Sequence, residues 1–136
     1  MVDEGFLAEV VLPGIPRSVS VARHCVSRVL IDAGHRNLDH VILAVSELVS
    51  NAVRHTVSGL AGGLITVDVR EIGDAVARIS VIDQGAKTVP QLCELKETDC
   101  TGRGLHIVQE ISSRWGAEDD ALGGRAVWAE VLTTGT

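Results

Sequence analysis

Cysteine is scarce in this sequence. Cys25, Cys93 and Cys100 form an odd, dispersed set, which excludes the paired framework that small secreted domains rely on. Cys93 and Cys100 have no second pair or histidine cluster nearby, so reduced thiols are expected there rather than a zinc site. Long apolar runs are lacking too. The 46% hydrophobic content is scattered in short pieces, none near the roughly 18 residues a membrane span needs, so no membrane partner is expected. The opening MVDEGFLAEV carries acids where a secretion signal carries bases, which predicts a cytoplasmic protein. Nor is there an excess of positive charge: 12 basic against 18 acidic residues leave a net charge of −6. That balance argues against direct nucleic-acid binding, although a small anion can still be held locally. Internal repeats and low-complexity tracts are absent. A chain of 136 residues fits one domain, spanning 1–136, and can bury roughly two-thirds of its unfolded surface.

What is present is organised around Leu38 to Thr56. Val41, Ile42, Val45, Leu48, Val49, Ala52 and Val53 recur at the three- and four-residue spacing of a helix with a wide buried face. Asn37 or Asp39 can cap it. Before it, Phe6 to Leu12 reads as a strand ended by Pro13-Gly14-Ile15-Pro16. A helix then runs from Arg17 or Ser18 to about Ala33 on a stripe of Val19, Ala22, Val26, Val29, Leu30 and Ala33, with Gly34 as its stop. Leu64 to Ile72 and Val76 to Ile82 form a hairpin around Gly73-Asp74. Ala86 to Thr101 is a long aperiodic loop, with one helical turn expected at Gln91 to Leu95. A helix over Leu105 to Ser113 and strands Trp115 to Ala121 and Arg125 to Leu132, around Gly123-Gly124, close the chain. The class is α+β, three main helices over a mixed, largely antiparallel sheet.

Three pieces carry chemistry. Glu47, Asn51 and His55 fall four residues apart and form one row on the central helix. Glu can act as a general base, the Asn oxygen can hold a hard cation such as magnesium, and Arg54 or His55 could face phosphate. Taken alone, the row is also what an ordinary polar stripe looks like. Asp83 ends an apolar strand, with Gly85 just beyond it. A buried carboxylate there can accept a hydrogen bond from an exocyclic amine, or simply start a turn. Thr101-Gly102-Arg103-Gly104-Leu105 runs a glycine-rich loop into a helix N-terminus, where free amides and the dipole favour an anion. It is neither a Walker loop nor a dinucleotide fingerprint.

In chain order, ELVSNAVRH, VIDQG and TGRGLHIV resemble the N, G1 and G2 boxes of the GHKL ATP-binding superfamily, which includes gyrase-type ATPases and histidine kinases. The short form, with ELVSNAVRH and GRGL, is similar to the bacterial anti-sigma factor serine kinases. The resemblance implies a Bergerat-type two-layer sandwich and assigns Glu47 as general base and Asn51 as magnesium ligand. It gives Asp83 to the adenine amine, Gly85 to the base pocket, and Gly102, Arg103, Gly104 and Leu105 to the phosphates beneath a lid of residues 86–101. Arg54 and His55 are phosphate neighbours.

The chemistry so implied is Mg-ATP-dependent phosphorylation of a serine on an anti-sigma-factor antagonist by a protein that also sequesters a sigma factor. Homodimerisation is a family-level expectation. The alternative is a nucleotide-responsive binding module that transfers no phosphate. Two departures from the family pattern bear on this choice: Asp83-Gln84-Gly85-Ala86-Lys87 lacks a second glycine, and Gly124-Arg125-Ala126-Val127 presents Ala126 where a threonine often helps at the adenine.

Overall fold

A computed structural model describes residues 5–55, 63–73, 75–83, 103–119 and 124–133. In chain order these form β1 (Phe6–Pro13), α1 (Arg17–Asp32), α2 (Asp39–His55), β2 (Leu64–Ile72), β3 (Val76–Asp83), α3 (Arg103–Ile111), β4 (Arg114–Asp119) and β5 (Arg125–Leu132). The strands make one sheet in the order β1-β2-β3-β5-β4. All four pairings are antiparallel, so the largely antiparallel sheet expected from sequence is wholly antiparallel among the described residues.

Period-two alternation puts one face of the sheet in the core. Along β3, Ala77, Ile79, Val81 and Asp83 are buried while the residues between them are half-buried. Ile65, Val67 and Val69 of β2 and Ala129 and Val131 of β5 share that face. The helices cover it, with α2 in the middle, touching α1, α3, β3 and β5. The 3.6-residue period explains the position of α2: Val41, Ala44, Val45, Leu48, Val49 and Ala52 are at most 3% exposed, whereas Ile42 and Val53 flank this stripe half-buried.

Local chemistry sets the helix ends. Ser18 donates its hydroxyl proton to the Pro13 carbonyl at 2.6 Å, tying α1 to the end of β1. Gly34 ends α1 at φ +96°. Its N–H bonds to the Ile31 carbonyl and that of His35 to the Leu30 carbonyl, each at 2.9 Å, the two crossed bonds of a Schellman motif. Asp39 is the first residue of α2 rather than its cap, with its carboxylate at the positive end of the dipole. Asn37 instead turns the chain at φ +60°, a conformation asparagine tolerates.

Several boundaries differ from expectation. Pro13 remains paired with Leu64, which is tolerable because β1 is an edge strand. The α3 helix begins two residues before Leu105 and ends at Ile111, and β4 spans Arg114–Asp119. The 86–101 lid, the expected turn of helix at 91–95 and Gly123 lie outside the described residues.

The face turned away from the helices carries paired charges. Arg78 bonds Glu130 at 3.0 Å while its guanidinium lies 4.1 Å from the Trp128 ring centroid, and Arg114 approaches both the carboxylate and the ring. Arg70 bonds Asp68 at 2.9 Å and stacks over Phe6.

Candidate functional site

Glu47 and Asn51 are both half-buried and flank the core stripe of α2, one turn apart and so separated by about 6 Å along the axis. Arg54 is exposed and donates to the Asn51 side-chain amide oxygen Oδ1 at 3.4 Å, a long bond. Asp83, the last residue of β3, is 6% exposed on the core face of the sheet.

Connectivity brings these residues to one end of the sheet. The registers align Pro13 with Leu64, and Asp83 with Arg125 and Asp119, at that end. The α1 helix leaves it four residues after Pro13 and finishes at the opposite end, where His35 Nε2 meets Glu71 at 2.7 Å and Nδ1 meets Thr133 Oγ1 at 2.6 Å. From there α2, 17 residues and about 25 Å long, runs back across β3 and β5 and carries Glu47, Asn51, Arg54 and His55 towards the Asp83 end. The α3 helix finishes three residues before Arg114, at the His35 end, so its N-terminal turn points towards Asp83. It touches α2, and Leu105 is half-buried against the core.

The rows of residues singled out from sequence therefore converge: the α2 row, Asp83 and the start of α3 share one end. His55 closes α2, and Arg103 and Gly104 open α3. Gly85 and Gly102 lie outside the described residues. One residue was overlooked. Ala126 pairs with Ile82 on the other face of the sheet, and the cross-strand neighbour of Asp83 is Arg125. The alternation of Val127, Ala129 and Val131 already places Arg125 on their face.

The arrangement suits a nucleotide. A buried carboxylate can accept from a base amine, and the positive end of α3 favours phosphate. Magnesium also fits the donors present. Asn51 offers a hard amide oxygen, the kind of donor magnesium takes, and no cluster of three or more His, Cys, Asp or Glu side chains gathers among the described residues.

A model of the histidine kinase-like ATPase domain matches residues 12–129. The chain belongs to that family. The histidine kinase-like ATPase domain is an ATP-binding module, in agreement with the GHKL boxes. Among solved structures, the chain resembles the RsbU and RsbW domains of Rv1364c from Mycobacterium tuberculosis, with a TM-score of 0.63 and 19% identity. The likeness covers 94% of this chain and 33% of that one, so the present domain spans about a third of its neighbour's length. It shows a shared fold. No curated protein matches the sequence. No described helix is long and apolar enough to cross a membrane.

Proposed function

We propose that this histidine kinase-like ATPase domain is a cytoplasmic protein serine kinase of the anti-sigma factor type. The observation that carries the reading is the convergence of Glu47 and Asn51 with Asp83 and the α3 N-terminus at one end of the sheet. A partner serine attacks the γ-phosphorus of ATP. Its oxygen forms the new P–O bond, the bond to the β-phosphate bridging oxygen breaks, and ADP leaves. Glu47, half-buried beside the core stripe, takes the serine proton. Asn51 holds magnesium, which neutralises charge on the phosphates when bound. The partners are a serine-bearing antagonist and the sigma factor released when that antagonist binds, and the kinase acts as a homodimer.

Lys87 in place of a second glycine favours the alternative, a nucleotide-responsive module without phosphotransfer. Replacing Glu47 separates the two. With Glu47→Ala, Mg-ATP binding by calorimetry should stay within about threefold of wild type, while phosphorylation of the antagonist falls by about a hundredfold or more. Equal, negligible phosphotransfer by both proteins would favour the binding module. A collapse of ATP binding would make Glu47 a structural residue.

A further inference from the structure

Arg125 is assigned by none of the three boxes. It is the cross-strand partner of Asp83, and side chains at such positions project from the same face with Cβ atoms about 4.5–5.5 Å apart. On its other side it pairs in register with Asp119. Arg125 is exposed and Asp83 buried, so a buried acceptor stands beside a long cation with five N–H donors.

We propose that Arg125 is a base-recognition residue that lets this site accept guanine as well as adenine nucleotides. The inference rests on reading the Asp83 end of the sheet as the nucleotide pocket. A lone carboxylate that accepts from the adenine amine rejects guanine, because guanine places an oxygen at the same position and two acceptors then face each other. An arginine beside the carboxylate removes that conflict. With adenine, Asp83 accepts from the exocyclic amine and Arg125 donates to the adjacent ring nitrogen. Guanine presents donor and acceptor in the reverse order, and shifts by one position along its edge. Its ring N–H and amine then meet Asp83, while its carbonyl oxygen meets the guanidinium, a pairing arginine makes readily. The base slides along its edge, and the arginine, whose side chain is exposed, swings to the other side of the carboxylate to follow the carbonyl oxygen.

The test is calorimetric titration of the full chain with Mg-ATP and Mg-GTP, for wild type, Arg125→Ala and Arg125→Lys. The wild-type chain should bind the two nucleotides within about tenfold of each other. Arg125→Ala should weaken GTP by about tenfold or more beyond any change for ATP, and Arg125→Lys should fall between because an ammonium lacks the fork. Wild-type binding of ATP with GTP weaker by about a thousandfold or more, or an unchanged ratio in Arg125→Ala, would overturn the role of Arg125 while leaving an ATP site intact. Binding of neither nucleotide by the wild-type chain would overturn the nucleotide reading and this proposal together.

Discussion

His35 joins three segments that the chain separates widely. Its ring bridges the Glu71 carboxylate, 36 residues away, and the Thr133 hydroxyl, 98 residues away, with the imidazole 1% exposed. Glu71 only accepts, so Nε2 carries a proton, and in the neutral ring Nδ1 accepts from the Thr133 hydroxyl. The contact with Thr133 is buried and that with Glu71 part-buried, and Thr133 itself is fully buried. Replacing His35 with alanine removes both partners, leaves the Thr133 hydroxyl unmatched and opens a void. His35→Ala should therefore lower stability by about 2–4 kcal/mol in chemical denaturation. Glu71→Ala, at a side chain 33% exposed, should cost less. Equal losses would mean that the tie to Glu71, rather than the buried contact with Thr133, carries the effect.

At the level of elements, β4 and β5 are fitted around one aromatic ring. Gly116 pairs with Trp128, and a Cβ on Gly116 would lie 2.9 to 3.2 Å from three indole atoms. The ring lies directly over the glycine, under the Arg78 guanidinium. Gly116→Ala should push the indole off β4 and weaken its stacking with Arg78. We expect a loss of about 1–3 kcal/mol and a changed near-ultraviolet circular dichroism signal; an unaltered spectrum would show that the ring accommodates the methyl group in place. Packing of this kind was hidden in the sequence, because it depends on which strand lies beside which. The α2 helix was readable, since burial at 3.6-residue spacing comes from neighbours on one helix, and with it the row of Glu47 and Asn51. Asp83 was visible as the acid ending an alternating strand. Its pairing with Arg125 was not, because the register joins positions 42 residues apart, with a long aperiodic stretch, α3 and β4 between them. The same reason accounts for the misplaced emphasis on Ala126, which is one residue and therefore one sheet face away.

The whole molecule matters for the site because no single element contains it. Glu47 and Asn51 come from α2, Asp83 from β3, Arg125 from β5 and the N-terminal amides from α3, and only the folded topology gathers them at one end of the sheet. The unfolded chain has no such site, so nucleotide binds the native state alone and stabilises it by mass action. At a hundredfold excess over Kd the gain is about 2.7 kcal/mol. For a chain of this size that raises Tm by about 10 °C. On the proposed reading the magnesium component of the shift belongs to Asn51, a half-buried residue of the α2 row. Thermal unfolding with ATP, with and without magnesium, should therefore show a larger shift with the metal in the wild-type chain. In Asn51→Ala the two curves should coincide, while the shift from ATP alone persists through Asp83 and the α3 N-terminus. If magnesium still raises Tm equally in that variant, the ion is held by other groups and Asn51 is not its ligand.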